Sequence, residues 1–153
     1  MIRLNAREAA RMIALRQEEL REPFTFTVEG RCATKGSANS FIDPRSGRKI
    51  WKASNANLKS WTRDCKKAAM AARVPLIYKP HGVEMTVTVE FVKPKTAKQV
   101  VPSVKPDADK LLRAIFDALT GLAYADDSQV VSVALVKAYG PSDRVTVQIA
   151  RTA

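Results

Sequence analysis

Between Val83 and Phe91 apolar and polar side chains alternate without a break: Val83, Met85, Val87, Val89 and Phe91 against Glu84, Thr86, Thr88 and Glu90. A period of two puts the first set on one face of an extended chain and the second on the other. The segment therefore reads as a strand with one face to the core and one to solvent, and the fold must supply an apolar layer for the first face. Two segments with helical periodicity are available for that layer. Over 56–73, Leu58, Trp61, Cys65, Ala68, Ala69 and Ala72 make one face, with Asn55 placed to cap the helix. Over 109–119, Leu111, Leu112, Ile115, Phe116 and Leu119 do the same, and Gly121 suits the stop.

Further strands are expected at Phe24–Val28, at Val130–Val136 and at Val145–Ile149. A short hairpin is expected where Phe41-Ile42 and Lys49-Ile50-Trp51 flank the turn Asp43-Pro44-Arg45-Ser46-Gly47, with Arg45, Arg48 and Lys49 at its tip. Residues 5–21 are helix-forming with a ragged apolar stripe (Ala9, Met12, Ile13, Leu15, Leu20) that Pro23 stops. We read 1–22 as a loosely docked accessory helix and 23–153 as the main domain. With four or five strands and two or three helices in mixed order, the fold class is α+β: a single domain with a mixed β-sheet packed against helices.

The 153 residues carry 26 Lys and Arg against 15 Asp and Glu, a formal charge of +11. Cations spread along the whole chain point to nucleic acid ahead of anionic membrane or an acidic protein. Metal chemistry of the zinc type has little to build on, since Cys32 and Cys65 lie far apart in sequence and His81 is the single histidine. Two unpaired, buried thiols fit a reducing compartment. No apolar run approaches the roughly 20 residues a bilayer span needs, and the basic, acidic N-terminus resembles no signal peptide. A cytoplasmic protein with no membrane partner is expected.

Against this basic background stands the stretch 105–130, KPDADKLLRAIFDALTGLAYADDSQV. Asp107 and Asp109 would point about 200° apart if both were helical, at roughly 100° per residue. They converge only if Asp107 lies in an extended approach, which Pro106 favours, leaving Asp109 at the helix cap or first turn. Aspartates are also ordinary helix caps, and Asp126-Asp127 are also ordinary turn residues. As a cluster, however, carboxylates in a cationic protein call for a bound cation. All-oxygen ligation suits Mg²⁺ or Mn²⁺, which retain waters and bind substrate phosphates. The intervening helix spans about 15–18 Å at 1.5 Å per residue. Asp127 therefore joins Asp107 and Asp109 only if Tyr124-Ala125 run back alongside, or if another chain takes part. Arg113, one turn beyond Asp109, could steady that carboxylate or face a phosphate.

This stretch resembles the signature of the RusA-type Holliday junction resolvases, a family common in phages and prophages. The pattern is Lys-Pro-Asp-x-Asp, an apolar helix containing Asp-Ala-Leu-x-Gly, then Asp-Asp-Ser-Gln, and weaker resemblance covers about 24–150, including Lys137 and Tyr139. The resemblance implies a RusA-like, dimeric endodeoxyribonuclease of recombination and repair that nicks four-way DNA junctions symmetrically with Mg²⁺ (or Mn²⁺). It implies Asp107, Asp109 and Asp127 as catalytic metal ligands with Asp126 nearby, and Arg113 at the family's basic catalytic position. Lys110 stands where the family usually has Asn, and Arg113 where it usually has Lys. DNA contacts are expected from Arg31 and Lys35 in the Gly-rich basic segment, from Lys93, Lys95, Lys98 and Lys105 in the loop at 93–106, and from Lys110 and Lys137. A nonenzymatic branched-DNA-binding module, or a nuclease for flaps and forks, are the alternatives.

Overall fold

The computed structural model describes residues 5–19, 22–36, 39–52 and 56–152. Its elements are α1 (Ala6–Glu19), β1 (Phe24–Glu29), β2 (Asn39–Ile42), β3 (Lys49–Lys52), α2 (Leu58–Ala71), β4 (Val83–Val92), α3 (Ala108–Leu119), β5 (Val130–Gly140) and β6 (Arg144–Arg151). A short 3-10 turn, Asp127–Gln129, precedes β5. The main sheet has the order β1-β6-β4-β5, while β2 and β3 form a separate two-stranded ribbon.

Within the sheet, β6 runs antiparallel to β1 and β4, and β4 runs parallel to β5. Parallel neighbours need a crossover, and α3 provides it. The alternating face of β4 is buried as expected: Val83, Met85, Val87, Val89 and Phe91 lie inside with Val145, Val147 and Ile149 of β6 and Phe26 and Val28 of β1. The helical layer answers with Leu111, Ala114, Ile115, Ala118 and Leu119 of α3 and Trp61, Cys65 and Ala69 of α2, and the two helices pack on each other. Burying each large aliphatic side chain contributes about 1.5–3 kcal/mol. The opposite sheet face is left to solvent, with Thr25, Thr27, Glu84, Thr86 and Gln148 at least partly exposed.

α2 begins after Asn57, whose side chain makes no capping bond; Asn55, expected as the cap, lies outside the described residues. At α1, Asn5 and Glu8 form a reciprocal capping box, yet Met12, Ile13 and Leu15 are exposed by half or more. Its apolar stripe is thus uncovered, and Leu20 lies outside the described residues. β5 departs most from expectation. Its residues are apolar, but it is an outer strand, and Val131, Val133 and Val136 are exposed.

Candidate metal and nucleic-acid site

The loop leaving β4 reaches α3 through a cis Lys105–Pro106 peptide. Asp107 follows at the N-cap with extended backbone (φ −71°, ψ 140°), and Asp109 falls in the first helical turn. This is the arrangement that convergence of the pair requires. Asp107 occupies a capping position but makes no side-chain capping bond. Its carboxylate instead accepts from the Lys110 ammonium at 2.9 Å. That bond and the Lys110 charge, followed by Lys105 and Lys137, hold the Asp107 carboxyl below the usual carboxylate range. Asp107 and Asp109 are both exposed at the helix end whose dipole favours anions.

Beside Asp107 opens a cleft of about 390 Å³ whose walls include Arg31, Thr34, Asn57, Lys105 and Lys110. The wall is tied to the helix by the Lys35 backbone N–H, which donates to the Lys110 carbonyl at 3.0 Å. Arg31 lies over the Phe91 ring (5.4 Å) and Lys93 over the Tyr139 ring (5.6 Å). Lys95, Lys98 and Lys105 are exposed along the loop. Four of the expected DNA contacts have ion-pair or hydrogen-bond partners: Lys110 has Asp107, Arg31 lies 4.0 Å from Asp143, and Lys35 and Lys137 have others. The Lys35 ammonium pairs with Asp117 of α3. The Lys137 ammonium donates to the Val104 and Pro106 carbonyls at 2.6 and 2.9 Å. Lys137 thereby props the loop immediately before Asp107. Arg113 is exposed on α3, and among the described residues it forms no ion pair with Asp109.

The second acidic pair lies at the other end of α3. Asp126 accepts from the Ser128 N–H at 2.9 Å and lies 3.7 Å from the Lys79 ammonium; the Ser128 bonds first, then Lys79, keep its carboxyl below the usual range. Asp126 is therefore committed to its turn, and Asp127 is the exposed member. What locks this turn is Gln129, a buried residue that sequence reasoning missed. Its Oε1 accepts from the Ala125 and Asp126 N–H groups, and its Nε2 donates to the Ile77 and His81 carbonyls. The Asp-x-x-Gln spacing of a capping box was the available signal.

Tyr124 does not lead the chain back toward Asp107. It forms bridges with Thr120 and Ile77, and its hydroxyl donates to the Phe116 carbonyl at 3.0 Å. The 12 residues of α3 separate the two acidic ends by about 18 Å. Among the described residues, no three His, Cys, Asp or Glu side chains in one chain are close enough to hold a metal. The fit to a divalent cation therefore rests on Asp107 and Asp109. One or two carboxylates, with waters and substrate phosphate, suit Mg²⁺, and the Lys110 ammonium already sits on Asp107 as a cation would.

Asp107, at the start of the crossover helix, thus shares a cleft with Arg31, Lys105 and Lys110, and Asp109 follows in the first turn. The family described as endodeoxyribonuclease RusA matches residues 33–150, and the chain belongs to that family. A stretch of 48 residues is 46% identical to "Uncharacterized protein YqaN" of Bacillus subtilis (strain 168), covering 31% of this chain and 34% of that relative. Among the described residues no helix is long and apolar enough to cross a membrane.

Proposed function

We propose that this protein is a metal-dependent endodeoxyribonuclease that resolves four-way DNA junctions by paired symmetric nicks in the bacterial cytoplasm. The observation that carries this reading is Asp107 in the wall of a cleft shared with Arg31, Lys105 and Lys110, with Asp109 in the helical turn that follows, in a chain of the RusA family. Asp107 and Asp109 would hold Mg²⁺ or Mn²⁺, which supplies an activated water and charge for the leaving oxygen. Arg31, Lys105 and Lys110 hold the backbone phosphates at the cleft, Lys93, Lys95 and Lys98 hold those further along the loop, and Arg113 offers charge to the phosphate under attack.

Paired nicks need two sites, and a two-fold dimer provides them. The outer strand β5 supports this arrangement. From Val130 to Val136 it carries no charge, so in a protein of charge +11 two copies can meet there with little repulsion. Antiparallel pairing of β5 with its own copy reverses the strand's ends. That would bring Asp127 of a second copy toward the end where Lys137 props Pro106 and Asp107, completing the three-carboxylate set across the interface.

The test uses a labelled synthetic four-way junction at fixed salt, because phosphate contacts make affinity salt-dependent. With Mg²⁺ or Mn²⁺, wild type yields symmetric nicked duplexes, and Asp109→Asn loses about 100-fold or more of the rate. Junction binding stays equal or tightens, since a repelling charge is gone. Full cleavage by Asp109→Asn would sink the assignment. The Lys110–Asp107 ion pair favours a second reading, a nonenzymatic branched-DNA-binding module. Tight binding with no metal-stimulated nicking across many junction sequences selects it, and flaps and forks in the same assay test the third substrate class.

A further inference from the structure

The β2–β3 ribbon belongs to neither the sheet nor the helical layer. Its register pairs Phe41 with Ile50, Ser40 with Trp51 and Ile42 with Lys49. Phe41 and Ile50 thus share one face, while Ile42, Lys49 and Trp51 share the other. Both faces are uncovered: Ile42 is 70% exposed, Trp51 62% and Phe41 49%. A lone two-stranded ribbon is marginal in water, and apolar residues open on both of its faces mark a contact surface.

The ribbon's charge narrows what can cover it. Arg45, Arg48 and Lys49 are all exposed at its tip. The acid there, Asp43, is committed to the turn, accepting from the Arg45 N–H and the Ser46 hydroxyl. Lys49 lies 4.7 Å from the centre of the Trp51 ring. A second copy of this surface would meet it cation to cation. The complementary ligand is anionic and presents flat apolar faces, as a nucleic acid does where its bases are unstacked. An intact duplex hides those faces; a branch point exposes them. In sequence the ribbon is flanked by cleft residues, since Thr34 before β2 and Asn57 after β3 both line the cleft that holds Asp107.

We propose that the β2–β3 ribbon is a wedge that stacks unpaired or unstacked bases of branched DNA on Trp51, Ile42 and Phe41, while Arg45 and Arg48 grip the adjoining phosphates. It rests on branched DNA being the substrate, but not on cleavage, so binding is measured without metal. Wild type is titrated onto a four-way junction carrying 2-aminopurine at the branch, and onto an unbranched duplex of the same sequence. Wild type should raise the 2-aminopurine fluorescence. Trp51→Ala should lose that rise and about 10-fold in junction affinity, while duplex affinity stays within about 2-fold. Trp51→Phe, which keeps a stacking face, should retain most of both signals, and Arg45→Ala/Arg48→Ala should weaken both DNAs alike and flatten the salt slope by about 2.

The proposal is overturned if wild type leaves the fluorescence unchanged, or if Trp51→Ala binds the junction within 2-fold of wild type or weakens both DNAs equally. It is also overturned if sedimentation shows that Trp51→Ala has lost a dimer that wild type forms, because the ribbon would then meet a second copy. Any wild-type fluorescence result stands whether or not Trp51→Ala folds, and whether or not the junction is ever cut.

Discussion

In the proposed site, Lys110 would set how readily the acidic end of α3 accepts a cation. Its ammonium lies 2.9 Å from an Asp107 oxygen, where a metal must displace it or share the carboxylate. The same contact holds the Asp107 carboxyl below the usual carboxylate range. Lys110→Asn removes the competing charge. We expect the Mn²⁺ concentration for half-saturation to fall about five-fold, from the loss of one nearby unit charge at a partly solvated site. A calorimetric Mn²⁺ titration checks this, and unchanged or weaker binding would show that Lys110 does not compete. The extended approach of Asp107 was legible, because the backbone from Pro106 into the helix is decided locally. The ammonium on Asp107 was not legible, because an i,i+3 contact on an exposed turn is one of several rotamer choices.

Among the elements, the turn at Asp126–Gln129 shows how a short segment is fixed from a distance. The capping pattern can be read in four consecutive residues, but the Ile77 and His81 carbonyls that receive the Gln129 amide lie 52 and 48 positions away. Gln129→Ala strands the buried Ile77 carbonyl and leaves the part-buried His81 carbonyl and Ala125 and Asp126 N–H groups to water; a fully buried unsatisfied group costs about 1–3 kcal/mol, and water relieves the others in part. Urea unfolding should show a loss of about 2–3 kcal/mol. A variant within 0.5 kcal/mol of wild type would mean that the turn holds without this side chain. Lys137 belongs to the same scale. It reads as one more basic residue on a strand, yet the packing of β5 beside the loop makes it a prop for Asp107.

For the whole molecule, the buried thiols couple the core to alkaline pH. Burial pushes Cys32 and Cys65 up to about 12, from an ordinary value of 9.0. Well below pH 9 the thiols are neutral in both folded and unfolded chains and leave stability unchanged. Between about 9 and 12 they ionise only on unfolding, so stability falls as pH rises, by about 1.4 kcal/mol per pH unit for each thiol once well above the unfolded value. Lysines also begin to titrate there, so the comparison is made with Cys65→Ala. The difference in urea midpoint between that variant and wild type should shift in favour of the variant from pH 8 to 10.5. A difference that does not change with pH would place the Cys65 thiol in contact with water.

Local periodicity decided much of this protein. The alternation at β4, the apolar stripe of α3, the turn of the β2–β3 ribbon and the extended approach of Asp107 all follow from backbone geometry within a few residues. Tertiary structure decided what lies next to what. The parallel pairing of β4 with β5 placed β5 at the sheet edge, with its valines exposed, and set Asp127 a helix-length from Asp107. No sequence spacing specifies that outcome, because strand order is fixed by how two layers jointly bury their apolar faces. Cationic side chains divided in the same way: their number was plain from the sequence, but only packing showed which bind the protein's own carbonyls and carboxylates and which face the cleft, Arg31 and Lys110 doing both.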